Sequence, residues 1–347
     1  MSNRPIRSIP DFLFGAKSVR HFLFAFAAAA CAAVPVPALG WGERAHAAID
    51  RAAIAALPAD GPVFLHKYTD YIAASSTMPD SWRNASEPFS KIEEDPNHGW
   101  FKEQFAFLSP IPRSRYEFIL AVHDEYLRIK DRDPEQAKRT NVRWTGTLPY
   151  AAMESYGRLV VCMRQIRAAQ TAGADASVPE QNCAYQVARL GHYIGDGSQP
   201  LHASVNSDGW LGANPKNYTT DRSIHGRFES QFVDAIALEP ENLADRISAP
   251  GRQRGDLFEA VLSFLDEAGS HMEAVYILEK RDGFTNPEDR DARALVYSRA
   301  AAGAEMLRDM IYRAWTESAE PSAQVVPSPL DPANPRYNRA TGSAPSH

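Results

Sequence analysis

Residues 190–206, LGHYIGDGSQPLHASVN, set two histidines and an aspartate into a segment that otherwise reads as a buried helix. His192 and Asp196 are four residues apart, so on a helix they share one face. Imidazole and carboxylate are ordinary zinc ligands, and both can point at one cation. Gly195–Gly197 and Pro200 read as the end of that helix, which lets His202 turn back toward the same cleft. His225 and Glu229 form a second pair at helical spacing, at the start of another expected helix. Either pair alone is what a packed core or a solvated surface also produces. Two His-x3-acid pairs and a third histidine within 38 residues, with a helix break between them, point instead to a metal centre.

The rest of the chain reads as helical scaffold. At 347 residues and 44% hydrophobic it can bury one large core or two ordinary ones. ERAHAAIDRAAIAAL has apolar residues at helical spacing and is ended by Pro58 and Gly61. RSRYEFILAVHDEYLRI, LPYAAMESYGRLVVCMRQIRAA, NCAYQVARLGHYIGD, HGRFESQFVDAI, GDLFEAVLSFLDEAGSHMEAVYILEK and DARALVYSRAAAGAEMLRDMIYRAW repeat the pattern, and strand-type alternation is scarce. The expected fold is an all-α helical bundle with long functional loops at 76–114, 132–146 and 203–224, rich in Pro, Asn, Ser, Asp and Gly. From about residue 318 to 347 the chain turns Pro/Ser/Ala-rich and reads as a disordered tail.

Residues 1–40 read as a cleavable signal peptide. Arg4, Arg7, Lys17 and Arg20 precede the apolar run HFLFAFAAAACAAVPV, and Ala38 and Gly40 occupy the small-residue positions of a cleavage site. The expected mature chain is secreted or periplasmic, begins at Trp41 and carries its domain in residues 41–317. A lipoprotein cut before Cys31 is the competing reading, but AAAC lacks the usual Leu or Val upstream. Cleavage after Gly40 leaves 33 basic and 42 acidic residues, a net charge of −9. That excludes a protein that coats polyanions through a basic face, though metal ions can still bind phosphate locally. Cys162 and Cys183 would remain; in an oxidising compartment they can bond, and they lack the clustered spacing of a Cys-type zinc site.

Three further candidates lie upstream: His46 on the first expected helix, Asp80 in TMPDSWRN and His98 in EDPNHGWF. Taken together, WGERAH at the cleavage point, PDSWR, NHGWF, GHYIGDGSQPLH and HGRFE resemble the zinc-dependent phospholipase C / S1–P1 nuclease superfamily, in the same order, from Trp41 to roughly Ala237. The resemblance implies a mostly helical bundle holding three zinc ions in a cleft. Asp80, His98, His192 and Asp196 would bind one. Trp41, through its free α-amino group and carbonyl, would bind a second with His46 and Asp196, so that Asp196 bridges the pair. His202, His225 and Glu229 would hold the third. A carboxylate bridging two cations sets water between them to lose a proton near neutral pH and attack in line. Asp80 and Asp196 thereby join the catalytic set.

Two features bear on the ester. Arg83, three residues after Asp80, resembles the nuclease branch, where an arginine at that offset contacts the scissile phosphate; its planar donors match phosphate oxygens. Glu229 resembles the phospholipase C branch, since the nuclease branch usually has Asp there. Trp82, Trp100, Phe101, Trp144, Tyr150, Tyr193 and Trp210 stand near the motifs and suit base stacking, an acyl or choline pocket, or plain core packing. The favoured expectation is a nuclease for single-stranded DNA or RNA that releases 5′-nucleotides, with no obligate protein partner. Phospholipid hydrolysis and non-catalytic zinc binding are the alternatives; a site of only three protein ligands favours catalysis, because structural zinc sites are closed. An α-amino group is a ligand only once the preceding peptide bond is gone. One residue added before Trp41 of the cleaved chain should therefore weaken one of about three zinc sites. Unchanged metal content and activity in that extended protein would remove Trp41 from the ligand set.

Overall fold

A computed structural model describes residues 41–250, 255–321 and 330–344 of the chain. The expected signal peptide and part of the expected tail lie outside them. Among the described residues the protein is mostly helical and has no strand, only two isolated bridges. The first helix, α1 (Glu43–Ala55), buries Ala45, His46, Ala48, Ile49, Ala52 and Ala53 along one side. A 3₁₀ turn then leads into α2 (Thr69–Ala74).

The segment read as a loop over 76–114 is more structured than expected. It contains α3 (Met78–Ser81), which carries Asp80, and α4 (Pro88–Glu94). Each has a proline in its first turn, where a missing N–H costs no helical hydrogen bond. Helices of four and seven residues are too short to show a 3.6-residue apolar period. The 132–146 segment departs in the same way. After α5 (Arg115–Ile129) it forms α6 (Pro134–Arg139) and α7 (Val142–Thr145), whose first turns are capped by the side chains of Asp133 and Asn141.

The centre of the fold is α8 (Leu148–Thr171) against α9 (Ser177–Ser198). Cys162 and Cys183 are bonded across this pair, with Cα atoms 5.6 Å apart. The expected HGRFESQFVDAI helix is one helical run in three pieces: α10 (Ile224–Gly226), a π-helical stretch over Arg227–Phe232, and α11 (Val233–Ala235). After α12 (Glu241–Ala244), the long helix expected over GDLFEAVLSFLDEAGSHMEAVYILEK divides at His271 into α13 (Leu257–Ser270) and α14 (Met272–Lys280). The last helix, α15 (Arg290–Glu317), packs on α1, α8 and α9. Within the expected tail, residues 330–344 form tight turns with a bridge between Asn338 and Ser343.

The helix break expected at Gly195–Gly197 is not there. α9 continues to Ser198 and stops only at Gln199–Pro200, where a 3₁₀ turn (Pro200–Ala203) begins. The glycines let other elements come close. A Cβ on Gly195 would lie 2.6 Å from His46 Nδ1, and one on Gly191 would lie 2.1 Å from Asp50 Oδ1. These two positions face α1, so its backbone approaches α9 and delivers His46 into the interior. A Cβ on Gly197 would meet Leu265 at 2.9 Å.

The Cys162–Cys183 link spans a sequence separation of 21, covering the end of α8, the turn between the two central helices and the start of α9. Loop-closure entropy puts its contribution at about 3 kcal/mol. A double Cys162→Ala/Cys183→Ala protein should lose about that much in urea unfolding under oxidising conditions. Equal stabilities would mean that the helix pair needs no covalent tie.

Candidate metal centre

Asp196 lies in the last turn of α9, fully buried, with its two oxygens facing different partners. Oδ1 is 3.3 Å from His46 Nε2. Oδ2 is 3.0 Å from His98 Nδ1 and 3.4 Å from His192 Nε2, one helical turn before it. His98 comes from the 3₁₀ turn Asp95–His98, and its Nδ1 is also 3.0 Å from His192 Nε2 and 3.5 Å from Asp80 Oδ1. The rings of His46 and His192 stack with centroids 4.5 Å apart. Donor atoms of His46, Asp80 and His192 lie within 4.8 Å of one another, as do those of His98, His192 and Asp196. The structure thus brings five of the expected residues into one contiguous cluster, with His192 and Asp196 in its midst.

The second cluster sits beside the first. His202 is on the 3₁₀ turn after α9, and its Nδ1 is 3.8 Å from Asp196 Oδ2. Its Nε2 is 3.0 Å from His225 Nε2 and 3.7 Å from Glu229 Oε2. His225 Nε2 is 2.8 Å from Glu229 Oε2. The three side chains are all buried. Trp41 is fully buried near both clusters: its indole donates to Ser198 Oγ at 2.9 Å, and the next residue, Gly42, donates its N–H to the Glu229 carbonyl at 3.2 Å. The cleavage that would free its α-amino group falls at residue 40, outside the described residues. Arg83 is at the mouth, its Nη1 3.4 Å from Asp80 Oδ1; the two side chains are 15% and 21% exposed, whereas the histidines behind them are closed off. Of the aromatics, Trp100, Tyr150 and Tyr193 are core, and Trp144 is 45% exposed.

The polar groups behind the clustered histidines were not legible in the sequence. His192 Nδ1 hydrogen-bonds to the Ser76 carbonyl at 2.9 Å, His202 Nδ1 to the His98 carbonyl, and His225 Nδ1 to the Ser207 carbonyl at 3.0 Å. Those contacts turn Nε2 of all three rings toward the cluster, as backbone carbonyls do for metal-bound histidines. His98 is reversed, with Nδ1 inward and Nε2 3.2 Å from Glu94. Glu94 is buried and accepts from Tyr193 Oη at 2.8 Å. Glu94 and His98 are a third acid–histidine pair at i, i+4, a signal hidden because the segment read as loop. Asp208, 3.2 Å from His225 Nδ1, and Gln199, which donates to Glu229 Oε2 at 3.1 Å, complete this layer.

The donor set fits cations. His46 Nδ1 and Glu229 Oε1 are buried without a hydrogen-bond partner, and His46 Nε2 and Asp196 Oδ1 have only each other, at 3.3 Å, which is costly unless something else meets them. Imidazole and carboxylate donors suit zinc or another divalent transition metal. The charges inside the clusters point the same way. Burial opposes a charge on His98, yet the hydrogen bonds its ring donates to Asp196 and Glu94 hold its pKa up at about 9. Burial likewise opposes His225, but the Glu229 charge and Asp208 hold it at about 10. His192 is driven well down, by burial above all. Asp196 is held well below the usual range despite burial, by the surrounding histidines. Near neutral pH, then, protons on His98 and His225 offset the buried carboxylates, and a cation must displace them. Cation affinity should accordingly weaken as pH falls.

Glu94 orients His98 rather than contacting the cluster itself. Glu94→Gln should weaken metal binding about 10–100-fold, measured by competition with a chromophoric chelator, with the melting curve of the metal-free protein little changed. Wild-type affinity in that variant would make Glu94 a packing residue only. Comparisons of the chain with protein-family models, with curated proteins and with solved structures find no match.

Proposed function

We propose that the chain is a secreted zinc-dependent phosphodiesterase with the phospholipase C / S1–P1 nuclease-like helical fold, holding three zinc ions and cleaving single-stranded nucleic acid to 5′-nucleotides. The observation that supports it most is the buried cluster built round Asp196, whose two oxygens address His46 on one side and His98 and His192 on the other, with the His202–His225–Glu229 cluster adjoining it. The residues His202, His225 and Glu229 leave coordination positions for substrate, as a catalytic site needs. Zinc bound there supplies Lewis-acid stabilisation of phosphoryl oxygens and lowers the pKa of water.

The chain's own residues do the rest. Asp196, fixed on α9, sets the spacing between the donor groups. Gln199 holds Glu229 through its amide, and Glu94 holds His98. Arg83, beside Asp80 at the mouth, offers a guanidinium to the phosphate, where bidentate donors orient an oxygen pair. The bonded cysteines suit an oxidising compartment. Among the described residues no helix is long and apolar enough to cross a membrane. A phospholipase C reading draws on Glu229 and on Phe89 and Ile92, which stand 91% and 74% exposed on α4.

Zinc-loaded protein is to be assayed on single-stranded DNA, RNA and phosphatidylcholine, with and without chelator. Nucleic-acid cleavage abolished by chelator is expected. Rapid lipid cleavage alone would transfer the protein to the phospholipase branch, and activity indifferent to chelator would remove the metal. Asp196→Asn should cost more activity than Glu229→Gln, at least about 100-fold against wild type. Equal losses would contradict a carboxylate shared between sites.

A further inference from the structure

We propose that a cationic and aromatic track from Arg83 through Arg143 to Trp144 holds the strand of a single-stranded nucleic acid beyond the phosphate being cleaved. This rests on the phosphodiesterase reading above. The full chain has a net charge of −6, so its overall field repels a polyanion and any hold on one must be local.

Such a place begins at the metal centre. Asp95, nearly buried, carries three cations: Arg83 Nε at 3.2 Å and Lys91 Nζ at 2.8 Å on Oδ1, and Arg143 Nη1 at 3.2 Å on Oδ2. Two carboxylates, Asp95 and Asp80, thus face three cations. Arg83 stands at the Asp80 end of this group, while the Arg143 side chain is 64% exposed and reaches solvent. The next residue, Trp144, is 45% exposed and has the Arg139 guanidinium 5.8 Å from its ring centroid. Cations and an open ring thus alternate outward from the reaction centre, as phosphates and bases alternate along a single strand. Stacking on such a ring tolerates any base.

The track is fixed to the ligands and not to a free loop. Phe101 N–H donates to the Thr145 carbonyl at 2.8 Å, and Thr147 N–H to the Pro96 carbonyl at 2.7 Å, so α7 is stitched to the turn that presents His98. Gly146 makes this possible. Its φ is +77°, and a Cβ there would fall 1.8 Å from the Gly99 carbonyl oxygen. Arg143 and Trp144 therefore keep a set position relative to His98. An anionic lipid surface is the competing occupant; it would take up Phe89 and Ile92, which belong to α4.

The test uses the full chain loaded with zinc and a fluorescent phosphorothioate oligothymidylate about 12 nucleotides long, read by anisotropy over a range of salt. Trp144→Ala and Arg143→Ala should each weaken binding about tenfold. Arg143→Ala should also flatten the dependence of log affinity on log salt by about 0.7, and Trp144→Ala should leave that slope alone. A merely structural role would not separate the two slopes. Binding within about twofold of wild type in both folded variants would overturn the track. So would intact oligonucleotide binding with lost binding to phosphatidylglycerol vesicles, which makes the surface a lipid contact. Hydrolysis of bis(p-nitrophenyl) phosphate by the wild-type protein is measured in parallel. Its absence would sink the phosphodiesterase reading while the binding data still decide the track.

Discussion

The carboxylate of Asp196 sits in the interior of a helical bundle, and the arrangement around it depends on keeping that charge there. An unpaired buried carboxylate costs several kcal/mol. Here it is met by His46, His98, His192 and, more distantly, His202, drawn from α1, a 3₁₀ turn, α9 and the turn that follows α9. One side chain thereby ties α9 and the turn after it to two segments far earlier in the sequence, those of His46 and His98. The bundle of α1, α8, α9 and α15 supplies the frame, and Gly191 and Gly195 supply the missing side-chain volume that lets α1 reach the charge.

A second layer keeps the ring orientations from being arbitrary. Three histidines are turned by backbone carbonyls and one by Glu94. Fixed ring orientation matters because a ligand that must be reoriented on binding loses part of its affinity to ordering. The same layer places charge. Glu94 and Asp208 lie behind His98 and His225, where they favour the protonated rings that balance Asp196 and Glu229.

Much of this was visible in the sequence. Helical periodicity marked α1, α5, α8, α9 and α15 because each is long enough to repeat its apolar face. The His–acid pairs were visible because i, i+4 spacing is itself a geometry. What misled was the meaning of glycine and proline. Gly195–Gly197 read as a helix end and is a packing surface inside α9, because glycine lowers helix propensity only modestly and close approach compensates. Pro79 and Pro88 read as loop residues and open short helices. Glu94 went unseen for that reason.

Residue order alone determined that the chain is helical, and that His192, Asp196, His225 and Glu229 pair on helix faces, because those relations span a single turn and need only local backbone geometry. Tertiary packing decided the rest: that the Asp196 oxygens divide between His46 and the His98–His192 pair, which ring nitrogen of each histidine turns inward, and that α7 is pinned beside the ligand turn. Those relations join residues up to 150 positions apart, such as His46 and Asp196. No local rule reaches across such a distance; only the burial of one helix against another sets them.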